Sequence, residues 1–151
     1  MSIVVFDTET DSPNPEEARI VTAYLGLMDL DGNLLMEQEW LVRPEGFVIP
    51  DEAVAIHGIS NAHALEHGVP LAQALGEIVA VINAECKGPG GSPHIAHNYP
   101  YDSTVLDREI RRIGGVGFDM TGIRVVDTLV LDKQLNRFRK GKGARKLINL
   151  A

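Results

Sequence analysis

At 151 residues and 44% hydrophobic content, the chain is long enough for one buried core and too apolar for intrinsic disorder. Its apolar runs are too short to span a membrane, its start lacks the charged head and apolar body of a secretory signal, and its one cysteine, Cys86, excludes an internal disulfide; a cytoplasmic protein without a membrane partner is expected. The net charge of −7 hides an asymmetry, because residues 1–132 hold 7 basic and all 21 acidic groups while residues 133–151 hold 7 basic and no acidic ones.

Residues 3–6 are apolar in succession and read as a central strand buried on both faces. Residues 19–28 and 34–42 are two further strands, joined by a hairpin at Leu30-Asp31-Gly32-Asn33. Pro50-Asp51 opens a short helix with Asp51 as N-cap. Pro70 starts a longer one, with Leu71, Leu75, Ile78 and Ile82 at helical spacing and Cys86 as an inert residue near its end. A Gly/Pro loop over 88–93 precedes a short strand at 94–97. Pro100 suits the first turn of a helix whose stripe is Val105, Leu106, Ile110 and Ile113, and Gly114-Gly115 ends it. Residues 123–126 form a last strand, and a helix follows from about Thr128. Residues 137–143 are a basic loop, and Leu147, Ile148, Leu150 and Ala151 begin an amphipathic helix that stops without a cap. This order predicts an α/β fold: a single domain with a mixed sheet flanked by helices, apparently truncated at its C-terminal end.

Asp7 and Glu9 follow the first strand two residues apart and so share one face. Two like charges side by side call for a neutralising cation, and carboxylate oxygens suit Mg²⁺ or Mn²⁺. Asp102 lies three and four residues before Val105 and Leu106, which puts a carboxylate on the buried stripe of its helix. It either caps that helix or shares the cation with Asp7 and Glu9. Asp127, before Thr128, reads as a helix cap. His63 and His67 are four apart but lack a third zinc ligand, and Gly141-Lys142-Gly143 is too short for a phosphate loop.

Four segments together resemble a known family. Phe6-Asp7-Thr8-Glu9-Thr10, Ala55-Ile56-His57-Gly58-Ile59-Ser60, His97-Asn98-Tyr99-Pro100-Tyr101-Asp102 and Val125-Val126-Asp127-Thr128-Leu129 are similar, in order and spacing, to the motifs of the DEDD 3′–5′ exonucleases. The branch resembled is the DnaQ-like (DEDDh) one, which includes the proofreading subunit of bacterial replicative polymerase. The resemblance implies a ribonuclease H-like fold of five strands in the order 3-2-1-4-5. It implies two Mg²⁺ or Mn²⁺ ions held by Asp7, Glu9 and Asp102, and two-metal-ion hydrolysis releasing nucleoside 5′-monophosphates. It further implies that Thr8, Thr10, His57, Asn98 and Tyr101 meet the 3′ terminus of a nucleic acid. Single-stranded DNA is the favoured substrate, RNA the alternative, and a polymerase subunit the partner.

The sequence departs from that family in one large respect. Its third motif, His-x-x-x-x-Asp, is absent, since no histidine and no acid follows Asp132. The chain as written is therefore expected to turn over weakly or not at all. An RNA-trimming relative, or a non-catalytic module binding nucleic acid or a polymerase, are the rival readings. The basic residues Lys133, Arg137, Arg139, Lys140, Lys142, Arg145 and Lys146 are expected to guide the strand.

Overall fold

Side chains alternate along the first strand, β1 (Ser2–Thr10): Val4 and Phe6 are fully buried, while Ile3 and Val5 on the other face are half-covered. The structure, a computed structural model, describes residues 2–141 and 144–146. The helix expected from Leu147 and two residues of the basic loop, Lys142 and Gly143, lie outside the described residues.

Strands β2 (Ile20–Asp29) and β3 (Leu34–Leu41) form the expected hairpin, with Gly32 at a φ of 88° supplying the left-handed turn residue. β2 pairs antiparallel with β1, while β4 (His94–Ala96) and β5 (Val125–Asp127) run parallel to it, so the order is β3-β2-β1-β4-β5. This is the five-stranded mixed sheet of the ribonuclease H-like fold.

Two helices close one face. α3 (Leu71–Cys86) buries Leu71, Leu75, Ile78 and Ile82, and α4 (Tyr99–Arg112) buries Val105 and Leu106, against Val4, Phe6, Leu25 and Trp40. A second cluster of Val21, Ile49, Ala53 and Ala64 sits beneath the short helices α1 (Asp51–His57) and α2 (Asn61–His67). α5 (Thr128–Leu135) follows β5. No described helix is long and apolar enough to cross a membrane.

Several expectations are corrected. β1 reaches Thr10, so Asp7 and Glu9 lie within it, and β2, not β1, is the strand closed on both sides, over residues 20–23. The N-cap of α1 is Pro50, which leaves Asp51 as the first helical residue, where its charge suits the helix dipole. α2 was not expected; Ser60 caps it by accepting the His63 N–H at 3.1 Å, and seven residues are too few to show a period. Ile113 is 47% exposed, and its place on the α4 stripe is taken by Glu109, which is 1% exposed and gripped by Arg19 at 3.0 Å and by Arg112. β4 stops at Ala96, and β5 starts at Val125 instead of residue 123.

Candidate active site

Both acids of β1 are solvent-accessible, on the face opposite Val4 and Phe6. The Asp7 carboxyl is nonetheless raised above its ordinary range, first by surrounding protein and then by the charge of Glu9. Thr8, between them, points to the other face and donates its hydroxyl to Asp102 Oδ1 at 2.6 Å. A β1 residue thus ties the strand to α4 at the third acid.

The entry into α4 sets where Asp102 falls. Asn98 takes the left-handed conformation (φ 66°, ψ 50°), which Asn tolerates better than most residues. The Asp127 carboxylate accepts the N–H groups of Asn98 at 3.0 Å, Tyr99 at 3.2 Å and Leu129 at 2.9 Å, so it caps α5, as expected, and fixes the start of α4 as well. With Pro100 in its first turn, α4 carries Asp102 inward, where it is 3% exposed. Burial pushes its carboxyl up to about 7, Thr8 opposes this, and the Asp7 charge adds to it.

None of the three acids has an ion pair among the described residues. A set of carboxylate oxygens without a counter-cation is, in donor type, what a hard divalent ion prefers. The fit is partial in geometry: among the described residues no three His, Cys, Asp or Glu side chains are gathered tightly enough to enclose one ion. Asp7 and Glu9 share one face of β1, and Asp102 meets the strand from α4 through Thr8, near enough to Asp7 to be acted on by its charge.

A cavity of about 380 Å³ opens at the end of β1 and brings together Thr8, Glu9, Thr10, Glu52, Ile56, His57 and Tyr101. Four of the five residues expected to meet a nucleic-acid terminus thus share one wall set, and the fifth, Asn98, lines a different cavity. The Tyr101 hydroxyl donates to the Ser12 carbonyl and contacts the Thr10 hydroxyl, which pins the ring in place. His57 Nδ1 accepts the Ile59 N–H at 3.1 Å, so the neutral ring carries its proton on Nε2, an atom that is buried and unpartnered. Glu52 and Ile56 were missed in the sequence, although they lie four apart on α1 next to His57, and Ile56 is 83% exposed.

His97, just past β4, links three elements: Nδ1 meets the Thr128 hydroxyl at 2.9 Å and Nε2 the Arg145 carbonyl at 2.8 Å. His94 is structural, packed on Phe6 and Tyr99 and held neutral by burial, its value lowered to about 4. Cys86 is buried, its thiol pushed up to about 11, which makes it unreactive.

A five-stranded mixed sheet of this order, with acids along its central strand and a third on the helix behind it, defines a protein of the ribonuclease H-like class. Comparison with known families narrows this: the chain belongs to the exonuclease family RNase_T, whose model matches residues 4–151. No curated protein matches it by sequence. Among solved structures it is similar to an exonuclease I complex with the SSB C-terminus (17% identity, TM-score 0.77, covering 91% of this chain and 30% of that one). E. coli exonuclease I in complex with a dT13 oligonucleotide gives the same figures. A product-bound exonuclease I gives 17% identity and a TM-score of 0.76, covering 93% of this chain and 33% of that one. The likeness is one of fold, and the chain spans about a third of the length of these proteins.

Proposed function

We propose that this domain removes nucleotides from the 3′ end of single-stranded DNA, releasing nucleoside 5′-monophosphates, with Asp7, Glu9 and Asp102 as ligands for two Mg²⁺ or Mn²⁺ ions. The observation that carries this reading is the cavity at the end of β1, where Glu9 stands beside a pinned aromatic ring, a histidine donor and two threonines. Bound ions would supply Lewis-acid stabilisation of the phosphate and a more acidic water. The chain's own residues do the rest. Tyr101 offers a face on which a terminal base stacks. The His57 Nε2–H donates to an acceptor on the nucleotide, a hydrogen bond its buried nitrogen lacks within the protein. The Thr8 hydroxyl holds Asp102 toward its ionised form, the form a metal ligand needs.

The DNA preference is supported by analogy with exonuclease I, whose structures hold dT13 and dA16 oligonucleotides. The motifs favour the DnaQ-like branch, a reading that brings a polymerase subunit as partner. The lone, buried Cys86 suits a reducing compartment such as the cytoplasm. A non-catalytic module is the second reading, favoured by the absence, among the described residues, of a tight three-residue cluster of metal-ligating side chains.

The test is digestion of 5′-labelled single-stranded DNA by stoichiometric protein with Mn²⁺. Slow shortening from the 3′ end, lost in Asp7→Ala, is expected. Shortening from the 5′ end, an unchanged rate in Asp7→Ala, or no shortening at any protein excess would overturn the reading.

A further inference from the structure

A second cavity, of about 460 Å³, lies at the His97-Asn98 corner, where Leu129, Arg139, Arg145 and Lys146 complete much of its lining. Three of these side chains are cations, drawn from the stretch that holds half the chain's basic residues and none of its acids. A polyanion is repelled by a surface whose first 132 residues sum to −14, and is drawn to this stretch.

The two arginines are held by an acid. Asp132, the last acid of the chain, is 7% exposed on α5 and is gripped by Arg145, with Arg139 at 3.6 Å and the Asn136 amide donating at 2.8 Å. Burial alone would raise its carboxyl; the hydrogen bonds from Asn136 and Arg145 and the charges of both arginines outweigh that and hold it below its ordinary range. The Arg145 guanidinium also donates to the Asn136 carbonyl at 2.7 Å. Its backbone carbonyl accepts from His97 Nε2, so the ring's Nδ1 accepts from Thr128. Arg145 is spent on these contacts, whereas Lys146 is exposed and has no ion pair among the described residues.

We propose that this cavity is a phosphodiester subsite, which takes a backbone phosphate of the strand whose terminus lies at Asp7 and Glu9, with Lys146 as its contacting cation and Asp132 as the positioning residue. This rests on the reading of the chain as acting on nucleic acid. It adds a second anchor on the far side of the His97-Asn98 corner, and gives Asn98 a place in substrate binding apart from the terminal cavity.

The test is fluorescence anisotropy of a labelled single-stranded oligonucleotide on the order of 12 nucleotides, with Ca²⁺ present to occupy carboxylates, across a salt series. Lys146→Ala is expected to weaken binding and to reduce the slope of log K against log salt by about 0.7, the increment for one phosphate contact on a single strand. Lys87→Ala removes an equal charge at the Lys87–Asp119 pair and should leave the slope unchanged. Asp132→Asn adds positive charge to the segment, so simple attraction predicts tighter binding, whereas a positioning role predicts weaker binding. Binding of a mononucleotide should not respond to Lys146→Ala. An unchanged slope in Lys146→Ala, an equal drop in Lys87→Ala, tighter binding by Asp132→Asn or an equal loss with the mononucleotide would overturn the subsite while leaving the proposed function standing. Failure of the unaltered chain to bind any oligonucleotide would overturn both.

Discussion

Asp102→Asn should stabilise the ion-free protein at neutral and alkaline pH. The Asp102 carboxyl is buried and its value is raised from 3.8 to about 7, so the folded state holds a proton that the unfolded chain gives up. A folded value above the unfolded one means that the contribution is fully present below pH 3.8 and is lost as pH rises through about 7. The interval corresponds to roughly 4 kcal/mol, and relaxation around the charge reduces the expected gain to about 2–4 kcal/mol at pH 8. Asparagine is nearly isosteric and still accepts from the Thr8 hydroxyl, so little packing changes. Urea unfolding of both proteins in EDTA at pH 4 and pH 8 measures the difference. It should be near zero at pH 4 and favour the variant at pH 8, with Mn²⁺ recovering more stability in the unaltered protein than in the variant. A variant that is less stable at pH 8, or a difference independent of pH, would refute the account of Asp102 as an acid buried without its cation.

Glu109→Ala should cost about 3–5 kcal/mol in chemical unfolding, because it leaves Arg19 and Arg112 facing an emptied, buried position. Asn98→Ala should destabilise by about 1–2 kcal/mol through its left-handed backbone, whereas Asn98→Gly should be close to neutral; thermal unfolding distinguishes them. His94, held near 4 by burial, has a folded value below its unfolded 6.5, so its stabilisation is complete above pH 6.5 and about 3 kcal/mol is lost as pH falls toward 4. His94→Gln should flatten that acid limb in a pH series of unfolding free energies.

The first strand was legible from its unbroken apolar run at residues 3–6, and the long helix from the spacing of Leu71, Leu75, Ile78 and Ile82, but the one-sided burial of Val4 and Phe6 was not, because an all-apolar run does not say which face is covered. Asp102 was legible as a buried acid because it starts the stripe that Val105 and Leu106 continue. What stayed hidden depends on contacts distant in sequence. Glu109 replaces Ile113 on α4 because Arg19, 90 residues away, neutralises it. Glu52 and Ile56 join the cavity because α1 docks near the end of β1, which no local pattern announces. Asn98 shares a motif with Tyr101 yet faces a different cavity, because α4 begins between them and turns their side chains apart.

The hydrogen bonds of the imidazoles bear on how this site would hydrolyse a phosphodiester. A general base needs a free lone pair near the attacking water. His57 spends its accepting nitrogen on the Ile59 N–H and offers a donor instead. His97 spends both nitrogens, on Thr128 and on the Arg145 carbonyl. His94 is buried beneath Tyr99, and His63 and His67 meet with tilted rings along α2. His57, His94 and His97 therefore have no free lone pair aimed at the site, and His63 and His67 line neither of its cavities. Asp102 is the acid closest to neutrality, but to bind a cation it must give up its proton, so it cannot keep a near-neutral value and serve as ligand at once. Under the proposed function, the described residues would therefore serve better to hold a strand end than to take the proton of the attacking water, and oligonucleotide binding should be easier to detect than turnover.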